Sequence, residues 1–279
     1  MKLRVSCSPD ADDLFMFRAL MEGLIDPGGF EWQIDTRDTD ALNRLATDEG
    51  PDVTAVSVGY YPRIAERYQL LPHGGSVGDG YGPVLITQEP QELSELGGAR
   101  IGIPGETTTA YMVLRLILED FQPSVVPITP YSAIFDALRG GDLDAGLVIH
   151  EGRLTYEELG FHCVVDIGAW WKERTGLPLP LGGNVISRRL GEERIARASA
   201  VLRASIQHAI DHRDEAIAWL LRSGGALHNA ERVSTYLGMY ANAETLEYSA
   251  EARSGMVELY RQAHAAGLLP EPVVVDFAP

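Results

Sequence analysis

Cysteine is nearly missing from this 279-residue chain. Cys7 and Cys163 stand alone, in no Cys-x-x-Cys pair and at no Cys/His ligand spacing, which excludes a thiolate-based zinc site. One disulfide would pair them, and nothing in the spacing requires it. Positive charge is short as well: 23 Lys and Arg face 40 Asp and Glu, a net charge of -17 with no local basic cluster. Such a surface repels nucleic acid and anionic membrane, so neither is an expected partner. An anionic small ligand stays open, because backbone N–H groups can bind one locally. Apolar runs are brief. No stretch approaches the ~20 residues of a membrane helix. The opening Met1-Lys-Leu-Arg-Val-Ser-Cys-Ser-Pro9 turns polar before an apolar run of signal-peptide length accumulates. A soluble, cytoplasmic protein with a small-molecule substrate is expected. Core-forming residues are not scarce: 45% hydrophobic content rules out disorder, and the length allows one large or two medium domains.

The stretch Leu147-Val-Ile-His150-Glu151-Gly152-Arg153-Leu-Thr155-Tyr156 organises the rest. Ala145-Gly-Leu-Val-Ile149 reads as a buried strand that ends abruptly on a histidine. In an open α/β sheet the carboxyl ends of strands face the ligand crevice. A histidine delivered there titrates near neutral pH, which a strand interior has no use for. The plain alternative is a hydrogen bond from His150 to a neighbouring loop.

Other strand ends repeat the pattern. Leu3-Arg-Val5 leads into Ser8-Pro9-Asp10-Ala11-Asp12-Asp13 and an apolar helix from Leu14 to Gly23, which Asp12 or Asp13 would cap. A metal site of Asp10, Asp12 and Asp13 lacks the ligand ladder and closing glutamate of a calcium loop, so no metal is expected. Asp52–Gly59 is a strand ending on Ser57 and Gly59. The segment Gly74–Gly82 carries five glycines in nine residues, fit for a hinge or a close approach of backbone to ligand. No Lys-Ser/Thr pair follows it, so it is not a phosphate loop. Arg100–Ile103 leads through Pro104-Gly-Glu-Thr-Thr108-Thr109-Ala110 into a helix from Met112 to Phe121. Three threonines exceed what one cap needs, and N–H groups and hydroxyls there suit a carboxylate or a sugar oxygen.

Further strands are read at Val125–Ile128 and Val164–Gly168, and helices at Tyr131–Arg139, Glu192–His212, Glu215–Arg222 and Thr245–Gly267. Val273-Val-Val275 reads as a final edge strand. The class is α/β, with crossings near residues 87 and 183. Residues 1–87 with 184–279 then form one lobe and 88–183 the other. Ligands prefer such interfaces, so a central inter-lobe cleft is expected to gather Asp10, Ser57, Gly82, Thr108, Thr109, Ala110 and His150.

The segments Pro104–Tyr111, Ile149–Tyr156, Trp170-Trp171 and Leu177-Pro-Leu-Pro-Leu-Gly-Gly183 together resemble the 1,4-dihydroxy-6-naphthoate synthases of the futalosine route to menaquinone. The resemblance runs from the first strand to the C-terminal helices. It implies a two-lobed type II periplasmic-binding-protein-like fold and cleavage of cyclic dehypoxanthine futalosine without metal or redox cofactor. It also implies a base at His150, with Thr108, Thr109 and Ala110 holding the ligand. Those synthases carry a Cys-Pro-Asn-Asp-Thr-Phe type segment after the first strand. Here it is Ser8-Pro-Asp-Ala-Asp-Asp-Leu-Phe15, one acid richer and without the asparagine. Two other readings are weighed: a chorismate dehydratase-like activity, against which the His-Glu-Gly segment argues, and an intracellular solute-binding or sensor protein for an aromatic carboxylate. Oligomeric state has no signature in the sequence.

Overall fold

A computed structural model describes residues 1–48, 50–224 and 227–279. Two sheets organise them. The first joins β1 (Lys2–Cys7), β2 (Glu31–Thr36), β3 (Val53–Ser57), β4 (Tyr68–Leu70) and β5 (Ser76–Gly78). The second holds β6 (Val84–Thr87), β7 (Arg100–Ile103), β8 (Gln122–Val125), β9 (Ala145–Val148) and β10 (His162–Asp166). The chain then returns through β11 (Leu179–Ser187), which pairs antiparallel with β3, β4 and β5 in the first sheet. Strand orders are β2-β1-β3-β11-β4 and β10-β6-β9-β7-β8.

The crossings therefore come earlier than the sequence reading puts them. Val84–Thr87, assigned by sequence to the first lobe, hydrogen-bonds to β9 and β10 of the second. Leu179–Gly183, assigned to the second, belongs to a nine-residue strand of the first. Glycine and proline density marked the right neighbourhoods, but the partner strand decides membership. Val273–Val275 forms no strand; the tail contributes one isolated bridge, Leu70 to Phe277, and Val274 lies exposed.

The parallel cores of both lobes are built from strand–turn–helix units: β1 into α1 (Ala11–Met21), β2 into α2 (Thr39–Leu45), β7 into α3 (Thr109–Ile117) and β8 into α4 (Ala133–Arg139). The second lobe closes with α5 (Ile167–Thr175). Helices α6 (Glu192–Asp211), α7 (Arg213–Arg222), α8 (Ala230–Tyr240), α9 (Ala243–Leu246) and α10 (Ala250–Ala265) follow β11. β9 reads Ala-Gly-Leu-Val without a polar residue, all buried because helix and sheet cover both faces. Along α6, Ile195, Ala198, Leu202, Ile206 and Ala209 recur at three- and four-residue spacing and bury an apolar stripe against α1. Burying each large side chain of that stripe is worth about 1.5–3 kcal/mol. The apolar run at Leu14–Met21 is helical as expected, but the helix starts at Ala11. Asp12 and Asp13 thus lie inside its first turn, and neither is the cap.

Candidate active site

Four strand-end turns meet between the lobes. Together with α8 and the β5–β6 connection they line an open cleft, and Asp10, Ser57, Gly82, Thr108, Thr109, Ala110 and His150 all lie on its wall.

His150 follows β9 directly and opens a short 3-10 turn over His150–Leu154. Its φ is +51°, in the left-handed region that a non-glycine residue occupies at a cost of about 1–3 kcal/mol. Behind it Gly152 is required, since a Cβ there would come within 2.7 Å of Val148 Cγ1. The turn aims the imidazole across the cleft at the other lobe. His150 Nδ1 stands 2.9 Å from Asp10 Oδ2, and Nε2 stands 3.3 Å from Thr39 Oγ1. Asp10 is the residue before α1, yet its side chain makes no capping bond. Its oxygens instead accept from Tyr131 Oη, Ser8 Oγ and His150.

Five ionisable groups crowd this point. Burial opposes charge on Asp10, but the facing His150 and the hydroxyl donors win, and its carboxyl lies below the usual range. Burial and then Asp10 push Asp12 up; burial and then Asp12 push Asp13 well up. Glu151 rises to about 7, by burial first and Asp10 second. Its Oε1 accepts from Ala11 N at 3.1 Å across the lobes, while Oε2 is buried with no partner among the described residues. Burial works against the His150 imidazolium, yet Asp10, Asp12 and Glu151 together outweigh it and lift the group to about 9. At neutral pH the resting cleft therefore holds a charged His150, above the near-neutral titration expected of a strand-end histidine.

The second feature is neutral. Thr108 caps α3, its Oγ1 accepting from Tyr111 N at 3.1 Å and donating to Gly105 O at 2.9 Å. Thr109 Oγ1 accepts from Gly59 N at 2.9 Å and donates to Leu181 O at 2.7 Å. Both hydroxyls are thus committed to the protein. What stays open is backbone: the N–H groups of Thr109 and Ala110 make no bond among the described residues. Ser57 Oγ accepts from Asn43 Nδ2 at 3.0 Å and keeps its own proton to donate. Two amides at the positive end of a helix and one hydroxyl form a small oxygen-binding cradle.

Comparison with known proteins settles the kinship of this arrangement. A family described as "Menaquinone biosynthesis" matches residues 3–265. A Thermus thermophilus protein named 1,4-dihydroxy-6-naphthoate synthase is 36% identical over 277 residues, covering 98% of this chain and 99% of that one. The chain belongs to this menaquinone-biosynthesis family. Protein AF1704 from Archaeoglobus fulgidus superposes with a TM-score of 0.88 at 40% identity, over 96% of this chain and 98% of that one. The alkanesulfonate-binding protein SsuA from Xanthomonas axonopodis pv. citri, solved with MOPS, shares the fold at a TM-score of 0.71 and 14% identity, over 98% and 96% of the chains. The family thus uses a two-lobed periplasmic-binding-protein-like fold.

In this family member the seven residues singled out from sequence share one cavity but not one role. Gly82 brings no side chain to the cleft: its carbonyl accepts from Arg153 Nη1 at 2.5 Å, and a Cβ there would meet Gly168 N at 2.8 Å. Asp10 faces His150. Residues that sequence reasoning passed over also line the wall, among them Thr39, Ser76 and Tyr236. Ser76 Oγ and Tyr236 Oη donate to Asp12 at 2.5 and 3.1 Å. Tyr131 closes the cluster from the second lobe. None of them carries a local motif that would have flagged it. Asp10, Asp12 and His150 bring ligand-type atoms within 4.8 Å of one another. Every oxygen of the two aspartates already accepts a proton donor, so the group is chemically a proton-holding cluster, not a bare metal chelate. Among the described residues no helix is long and apolar enough to cross a membrane.

Proposed function

We propose that this protein is a lyase that cleaves cyclic dehypoxanthine futalosine to 1,4-dihydroxy-6-naphthoate, with His150 as general base. The observation that carries the reading is the Asp10–His150 pair, built across the lobes of a cleft in a chain of the menaquinone-biosynthesis family. With Nδ1–H donated to Asp10, the neutral ring bears its lone pair on Nε2, the atom next to Thr39 at the cleft wall. That nitrogen takes a proton from the sugar-derived part of the substrate. Electrons then shift, a carbon–carbon bond breaks, and the new ring becomes aromatic, which drives the step. Ser57 and the start of α3 hold substrate oxygens, and closure of the lobes keeps water from the intermediate. The names of the curated relatives favour this reading over a chorismate dehydratase-like one, and no further cofactor is needed for it. A cytoplasmic location goes with it.

The test is a direct assay of purified protein with cyclic dehypoxanthine futalosine, following naphthoate by absorbance and mass. His150→Ala is expected to lower kcat/KM by about 10²–10⁴-fold, the usual share of general acid–base catalysis. Because His150 holds its proton to about 9, log kcat/KM of the wild type is expected to climb with unit slope and level off near pH 9. Ligand bound tightly and recovered unchanged would instead make the protein a sensor or carrier.

A further inference from the structure

The cleft wall is a poor host for an anion over most of its area. Asp10, Asp12 and Asp13 line it, and Glu151 lies buried behind them. Among the described residues its one lysine or arginine is Arg153. A guanidinium has five N–H donors. Arg153 uses Nη1 on Gly82 O at 2.5 Å and on Asp166 Oδ2 at 2.6 Å. Nε and Nη2 make no hydrogen bond among the described residues, and neither is a sealed, unpartnered atom. That leaves open the edge with which arginine grips a carboxylate through two parallel bonds. Asp166 is itself fixed, since its other oxygen accepts from Gly168 N and Ala169 N at the start of α5. The guanidinium is therefore anchored on one side and free on the other.

An aromatic wall adjoins it. Arg153 lies over the Tyr81 ring at 5.9 Å; Tyr81 meets Tyr240 edge-on at 5.7 Å; Tyr240 packs on Tyr236 at 5.1 Å. Tyr236 and Tyr240 both line the cleft. The Tyr240 hydroxyl has no protein partner among the described residues and is not sealed from solvent. Flat apolar rings beside an open guanidinium edge and a free phenol form a site for an aromatic ring bearing a carboxylate.

We infer that Arg153, assisted by Tyr240, seats the carboxylate of the substrate's aromatic part, leaving Ser57 and the α3 amides to the sugar-derived oxygens. This deepens the lyase reading and rests on it for the identity of the substrate, but it is tested by binding alone. The probes are 2-naphthoate and 2-naphthamide, equal in shape and different in charge, titrated by calorimetry into the full chain. The wild type is expected to bind the acid at least about 10-fold more tightly than the amide, the scale of a lost charge-assisted hydrogen bond. Arg153→Gln is expected to remove that preference, Arg153→Lys to restore part of it, and Tyr240→Phe to reduce it a few-fold with unchanged Tm. No preference in the wild type overturns the inference, as does a preference that survives Arg153→Gln in a variant with near-wild-type Tm. Turnover of cyclic dehypoxanthine futalosine, run in parallel, separates the two claims. Turnover with an arginine-independent preference sinks the carboxylate site and leaves the lyase. An arginine-dependent preference without turnover does the reverse. Where both hold, Arg153→Gln raises KM about 10–100-fold and changes kcat less.

Discussion

The two lobes present the same local device to the cleft with opposite chemistry. In each, a parallel strand ends, turns, and starts a helix whose first turn faces the ligand space: β1 into α1, and β7 into α3. At α1 the turn is crowded with Asp10, Asp12 and Asp13, and its first amide is tied to a carboxylate of the other lobe. Ala11 N donates to Glu151 and Ser8 N to Asp13 Oδ2 at 2.6 Å. At α3 the turn has threonines whose hydroxyls tie the loop to Gly59 and Leu181 and leave two amides open. One start therefore stores charge and a proton, while the other offers uncharged donors. A helix N-terminus by itself attracts anions; what occupies its first turn decides whether it holds charge and protons or offers open donors.

Removing the stored charge is expected to have the largest effect. Asp10→Asn keeps the shape but takes away the anion that holds the His150 proton and fixes its tautomer. A fall in kcat/KM of about 10²–10⁴-fold is expected, with the rising limb of the pH profile displaced downward by about 1–3 pH units. An unmoved limb would show that the titrating group is not His150. Glu151→Gln tests the same cluster more gently. Glu151 has a folded pKa raised to about 7, so the stability it contributes is present below its unfolded value of 4.5 and is lost as pH rises through 7. The variant is accordingly expected to melt above the wild type at pH 8 and close to it at pH 4. An equal Tm difference at both values would mean that the carboxylate is not penalised by burial. On the neutral side the effect is smaller. Thr108→Val removes the α3 cap and is expected to cost about 1 kcal/mol in denaturant unfolding. The pH profile should keep its shape, and any change in it would break the division of labour between the two turns.

Much of this site was legible in residue order. An apolar run that stops on His150, a strand that stops on Ser57, and threonines at a helix start are local signals, and all three reach the cleft. The Ser8–Asp13 turn was legible as polar and acidic but not as the orienter of His150, because its partner lies about 140 positions away in the chain. Tyr131 and Tyr236 were invisible for the same reason, whereas Arg153 was legible as part of the His150 turn but not as a cleft guanidinium. A tyrosine on a helix reads as core until the opposite lobe is in place.

Residue order by itself determined most of the strands, the turns at their ends, the α/β class and the candidate base, since each follows from the periodicity and chemistry of neighbouring residues; it misplaced β8 by a few residues and gave the tail a strand that does not form. Only the tertiary structure decided what those turns do. Lobe packing brings Asp10 to His150, sets three further acids around them, and holds a proton on the imidazole to about pH 9. Electrostatic energy depends on distance in space and on exclusion of water, and neither can be read along a chain.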